Sequence, residues 1–374
     1  MSRVPRLLLL AFALYGTLRL PIEAMTVGAL GTVERGPGLL GMPPLEGPAV
    51  LQPFLRWDSG WYVRIIRDGY SYADCRSPDV PCAQASIAFL PVYPMAVRAL
   101  TTIGFTLPLG SFIITHLGLL AAIWGLLQLG SMKFGDEDSG IRAAAAMLVY
   151  PASIFLSAGY AEVVFLGLGI WALVFFERGD DFSCAALLAI GAITRSQGML
   201  LVGAVGLAAL LSRRWKTAVI VGVASGLVIG AYVFWQYRTY GDALAFMHAR
   251  RGWGFTAPPL PTFLEYWERT KRGNLAMEGW LDFFCIPLVA VTAVLAWKQL
   301  GPVYSIYCAL IVIVPMSSGQ AWAFSRISLC AFPVFLLTAK WTKNRWAQFA
   351  VLAIGLGWLG MSGVRLANGL FIGT

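Results

Sequence analysis

The chain has 374 residues, 58% hydrophobic and only 13% charged, with 28 Lys and Arg against 19 Asp and Glu for a formal net charge of +9. Soluble domains carry roughly 25% charged residues, so a water-soluble enzyme is excluded, and a chain this apolar is not disordered. A mean hydropathy of +0.70 in long apolar runs predicts an all-α, polytopic transmembrane helical bundle forming one integral membrane domain over 1–374, and not a barrel of short alternating strands.

The first run, 4–24, follows Arg3 and Arg6 without a convincing cleavage site and reads as the first span, not a signal peptide. Further crossings are expected near 109–130, 142–158, 162–177, 183–195, 198–212, 217–239, 280–297, 302–317, 326–341 and 346–366, about eleven in all. The short runs 183–195 and 198–212 flank Thr194-Arg195-Ser196-Gln197 and suggest a pair that dips and returns. Basic residues in the short loops put the N-terminus inside, which leaves the long connections 25–108 and 241–279 outside. Within the first of these, 89–104 is apolar, yet it carries Pro91, Pro94 and Arg98. Were it to cross, the basic turns at 213–216 and 340–345 would face outward, so an amphipathic surface helix is expected.

With that orientation the awkward polar residues gather at the outer face: Arg56, Asp58, Arg64, Glu162, Arg195, Arg250, Arg251, Gln320 and Arg326. Ionisable groups at a bilayer are costly and mark substrate paths. Asp58, among Trp57, Trp61 and Tyr62, reads either as a general base for an acceptor hydroxyl or as a helix cap for 59–67. Glu162 reads as a second acid beside Asp58, as an anchor for an Arg or a sugar hydroxyl, or as a dipole partner at a helix start. Arg195 and Arg326, with Arg250-Arg251, suit bidentate contact with a phosphate; snorkelling to the head groups is the alternative. Arg56, Trp57, Trp61, Tyr62, Tyr160 and Gln320 are the candidate substrate contacts. His116 reads as a packed helix–helix contact and His248 as a weak substrate contact. Cys75 and Cys82 form either a disulfide or two free thiols. With six scattered Cys and two His, no zinc site is expected, and nucleotide and hydrolase motifs are absent.

The run Arg56-Trp57-Asp58-Ser59-Gly60-Trp61-Tyr62 to Gly69-Tyr70, then Phe89-Leu90-Pro91-Val92-Tyr93-Pro94, Tyr150-Pro151-Ala152-Ser153 to Tyr160-Ala161-Glu162, and Thr194-Arg195-Ser196-Gln197-Gly198 resembles the PIG-V type, the GPI mannosyltransferase II family of the GT-C superfamily. The resemblance is dense over about 55–200 and thin beyond, where Ser325-Arg326 is the best match. It implies a GT-C fold with a conserved core in 1–240 and variable helices over 241–374. It also implies surface helices in the first outer loop, the acid role at Asp58, and a polyprenyl-phosphate sugar donor such as dolichyl-phosphate mannose.

The expected activity is therefore an inverting mannosyltransferase acting on a hydroxyl of a lipid-linked or glycan acceptor, with Asp58 as base and Arg195 and Arg326 holding the leaving phosphate. No cofactor or metal is required on this reading, because the donor is itself a substrate, and the partners are membrane lipid, donor and acceptor but not nucleic acid. The alternatives are the same fold using another polyprenyl-phosphate sugar, or a lipid or sugar transporter, whose site would lie at the bilayer midplane. The short chain, its compact loops and the lack of an ER-retention tail suggest a prokaryotic plasma membrane with an outward site; a eukaryotic origin would mean the ER membrane and a lumenal one.

Overall fold

The computed structural model describes residues 3–32, 45–77, 82–253, 264, 267–268, 271, 277–317 and 323–370. The first apolar run forms α1 (Arg3–Leu14) and α2 (Leu20–Gly28), one rod with a π-turn over Tyr15–Arg19. Pro21 accounts for the turn. Its nitrogen has no hydrogen to give the preceding turn, and the ladder shifts so that Leu20 N–H donates to Tyr15 O.

The connection that follows carries α3 (Ser59–Asp68) and α4 (Val92–Thr102). At 1.5 Å per residue these reach only about 15–17 Å, roughly half of a hydrocarbon core. Segment 89–104 thus holds a helix too short to cross, with Tyr93, Pro94 and Val97 buried and Arg98 exposed.

α5 (Leu107–Phe134) is long enough to span, at about 42 Å, and α7 (Glu162–Arg178) packs along it. Small residues allow the approach: a methyl on Gly118 would stand 3.1 Å from the Val164 backbone. Between them, α6 (Glu137–Leu148) starts on Asp136, which accepts from Ser139 N–H. The expected crossing at 142–158 is interrupted. Pro151 disfavours a helical Tyr150, which is extended (φ −57°, ψ 137°), and a 3-10 turn, Pro151–Leu156, carries the chain to α7.

α8 (Asp181–Ala192) and α9 (Ser196–Leu211) are short apolar helices folded back on each other. A methyl on Gly198 would fall 2.0 Å from Gly191 O, so only glycine permits this turn. α10 (Trp215–Tyr240) and α11 (Ala245–His248) come next. They are followed by α12 (Met277–Gln299), α13 (Pro302–Ser317), α14 (Phe324–Leu329), α15 (Pro333–Trp341) and α16 (Arg345–Ala367). The expected crossing at 326–341 is likewise in two pieces, because Pro333 begins a new helix after the break at 330–332. Among the described residues five helices are long and apolar enough to span a bilayer: the rod Pro5–Gly28, α5, α10, α12 from Trp280, and α16.

Candidate active site

Four segments distant in sequence meet at one cavity of about 340 Å³. The α3 entrance contributes Trp57, Asp58, Trp61 and Tyr62; the 3-10 exit, Tyr160; the α8–α9 turn, Arg195 and Gln197; and α14, Arg326. The 3-10 turn Ala249–Trp253 closes one wall with Arg250 and Trp253.

Asp58 stands at the start of α3 but does not cap it with its side chain, so the helix-cap reading is corrected. Its Oδ2 instead accepts from Arg326 Nη1 at 2.7 Å. Trp57, just before it, adopts φ 58°, a left-handed conformation that a bulky residue holds only under constraint. Part of that constraint is visible: Tyr160 OH donates to Arg56 O at 3.0 Å. Burial, reinforced by the nearby Asp58 charge, pushes the Tyr160 phenol well above its usual range, so it remains a neutral donor.

Glu162 begins α7 and is fully buried. Arg195 Nη1 lies 2.5 Å and Arg326 Nε 3.1 Å from its Oε1. It sits behind both guanidiniums and does not line the cavity, which corrects the expectation of a second acid beside Asp58 in favour of an anchor for arginine. Arg326 also lies over the rings of Tyr160 and Phe155, at 5.3 and 5.7 Å, a favourable place for a cation. Arg195 Nε donates to Gln197 Oε1 at 3.0 Å, holding its fork beside the cavity. Arg250 is pushed below its ordinary value by burial first and by the like charge of Arg195 second. The second effect, two like charges beside one cavity, disfavours another cation here and favours an anion.

The other expectations divide. Trp57, Trp61, Tyr62, Tyr160, Arg195, Arg250 and Arg326 all line the cavity with Asp58. Arg56 turns away, its Nη2 donating to Ala367 O at 3.1 Å at the end of α16. Arg251 also leaves the site: its Nη1 donates to Cys75 O at 2.5 Å and to Ser77 O, clasping the loop that the Cys75–Cys82 disulfide closes. His248 pairs with Asp242 at 2.9 Å outside the cavity lining. Gln320 lies outside the described residues.

Sequence reasoning missed a polar knot behind the site. Arg19, fully buried in the π-turn, donates through Nε to Ser157 Oγ at 2.6 Å and through Nη2 to Ile154 O at 3.1 Å. Glu23 Oε1 accepts from Ser157 and lies 3.0 Å from His116 Nε2. His116 is thus a helix–helix contact of polar kind. The knot ties the first rod to the turn that delivers Tyr160 and Glu162. Its signal was present in the sequence, since Arg and Glu four residues apart inside an apolar span are costly unless paired.

A family model described as Mannosyltransferase (PIG-V) matches residues 48–239, more than half of the chain. GPI alpha-1,6-mannosyltransferase 2 of Cricetulus griseus is 28% identical over 158 residues, 40% of this chain and 30% of that protein. The Rattus norvegicus protein of the same name is 28% identical over 165 residues, 41% of this chain and 31% of its own length. The chain spans a little under a third of the length of these curated relatives. ArnT from Cupriavidus metallidurans, solved bound to undecaprenyl phosphate, matches with a TM-score of 0.54 at 13% identity, covering 95% of this chain and 63% of that one. That likeness shows a shared fold. The family match contains Asp58, Glu162 and Arg195 and ends before Arg250 and Arg326.

Proposed function

This chain belongs to the PIG-V mannosyltransferase family, and from that premise we propose that it moves a mannosyl residue from a polyprenyl-phosphate donor to a hydroxyl of a lipid-linked or glycan acceptor. The observation that carries the reading is the convergence of Asp58, Arg195 and Arg326 in one cavity. It unites a carboxylate able to take a proton with guanidiniums able to take a phosphate.

The acceptor oxygen attacks C1 of the sugar from the face opposite the phosphate, and its proton passes to Asp58. The bond from C1 to the phosphate oxygen breaks, the electron pair leaves with the polyprenyl phosphate, and the anomeric configuration inverts. Charge grows on that phosphate as the bond breaks, where Arg195 and Arg326 stabilise it; no metal is assigned to this step. In the resting cavity Arg326 is engaged by Asp58 at 2.7 Å. A phosphate competing for the same guanidinium releases the carboxylate for the acceptor. Glu162 sets the spacing of the two forks from behind. The site opens on this reading to the outer or lumenal membrane surface.

The test is transfer by purified protein in lipid nanodiscs, offered polyprenyl-phosphate mannose or polyprenyl-phosphate glucose with a glycolipid extract, products being read by mass spectrometry. A gain of one hexose from the mannose donor, with release of polyprenyl phosphate, is expected. Transfer from the glucose donor alone would assign another sugar. Movement of intact donor across the bilayer without bond cleavage would make the protein a transporter.

A further inference from the structure

The short helix α14 must hold Arg326 against both Asp58 and Glu162, yet the turn that starts it is strained: Ala323, which lines the cavity, has φ 59°. A residue with a Cβ holds such a conformation only when its surroundings impose it. The imposing group is on α12. Asp282, 2% exposed, accepts from Ala323 N–H through Oδ2 at 2.6 Å and from Ser325 N–H through Oδ1 at 2.7 Å. The two donors bracket the first residue of the helix, so the carboxylate spans its entrance like a staple. Short bonds to an ionised acceptor are the strong kind, and a carboxylate taken out of water is costly without them. The far end of α14 is fixed separately, by Tyr150 OH against Ser328 Oγ at 2.7 Å and by Tyr307 OH donating to Cys330 O at 3.0 Å.

We propose that Asp282 is a positioning residue of the transfer reaction, presetting Arg326 for the donor phosphate by stapling the strained Ala323–Ser325 turn. The proposal rests on the phosphate-binding reading of the cavity. Asp282 is not itself among the residues that line the cavity; it acts through the backbone N–H groups of Ala323 and Ser325 at the start of α14. Asparagine keeps one acceptor oxygen but offers an amide N–H₂ where the second backbone donor needs an acceptor, so the turn is released at one of its two points.

The experiment is a double-mutant cycle on the full chain in nanodiscs, with Asp282→Asn, Arg326→Ala and the double variant. Two readouts are used: affinity for undecaprenyl phosphate by thermal shift or calorimetry, and donor KM and kcat with polyprenyl-phosphate mannose. Asp282→Asn is expected to weaken phosphate affinity and raise donor KM by about tenfold or more, toward the ~10²-fold that an ångström of misplacement can cost. In the Arg326→Ala background the same change is expected to do almost nothing, and Asp282→Glu to restore affinity to within a few-fold. Equal losses in both backgrounds, or failure of Asp282→Asn to fold, would assign Asp282 to general support and overturn the proposal. Undecaprenyl phosphate that binds as expected, with no mannosyl transfer by the unaltered protein, refutes the mannosyl reading and leaves the Asp282 result readable from binding alone.

Discussion

Replacing Asp58 with asparagine separates a chemical role from a structural one. Asp58 and Arg326 form a charge-assisted bond of 2.7 Å between side chains 21% and 11% exposed. A hydrogen bond to a charged group contributes about 1.5–3 kcal/mol. Asparagine retains a carbonyl acceptor of the same reach, so roughly half is lost, about 0.8–1.5 kcal/mol. No cap is lost, since the side chain makes no capping bond to α3. The protein is therefore expected to express and remain monodisperse in detergent with a modestly lowered Tm. As the proposed general base its removal costs ~10²–10⁴-fold in rate, which at about 1.36 kcal/mol per decade is roughly 2.7–5.4 kcal/mol on the barrier. Initial rates from polyprenyl-phosphate mannose, read beside binding of undecaprenyl phosphate, should show binding retained or tightened by up to about tenfold, because a weaker competitor holds Arg326, and almost no transfer. A folded Asp58→Asn protein within about tenfold of the unaltered kcat would remove Asp58 from the chemistry.

Arg195→Ala and Arg326→Ala should each raise donor KM more than they affect acceptor use, by about 1.5–3 kcal/mol or ~10–100-fold; unchanged donor kinetics in both would place the phosphate elsewhere. Glu162→Gln leaves two buried guanidiniums facing each other, and removal of one partner from a buried ion pair costs about 3–5 kcal/mol. Thermal unfolding in detergent should register that loss even where Asp58→Asn does not, and an unshifted Tm would contradict the anchoring role. Gly198→Ala drives a methyl into Gly191 O at the α8–α9 turn. Overpacking of this kind costs about 1–3 kcal/mol, so a lower Tm and weakened phosphate binding through a shifted Arg195 are expected, and an unchanged variant would show that the turn can yield.

The half of the site made from short-range pattern was legible in the sequence. Asp58 and its aromatic neighbours, Glu162 and Arg195 stand out because so few charges occur in so apolar a chain. Partner choice was not legible. Nothing in linear order says that Glu162 serves Arg195 and Arg326 together, or that Asp58 finds a guanidinium 268 residues away. Arg250 and Arg251 are neighbours, yet the 3-10 turn sends one into the cavity and the other to the disulfide loop. Asp282 escaped notice because it acts on backbone N–H groups, which carry no side-chain signature. The breaks at Tyr150-Pro151 and before Pro333 were signalled by proline, but uninterrupted apolar composition on either side concealed them.

The pairing of Asp58 with Arg326 also bears on how the protein is made. Translation delivers the α3 acid first and its counter-ion 268 residues later, an interval of roughly 13–54 s at about 5–20 residues per second. During that time the membrane insertion machinery handles a nascent chain that already contains Asp58, Glu162 and Arg195 but lacks the guanidinium that joins them. Chains that terminate early, before α14, lack Arg326 and leave Asp58 without that counter-ion. On the proposed function, competence toward a lipid-linked sugar is thereby deferred to the last stage of synthesis.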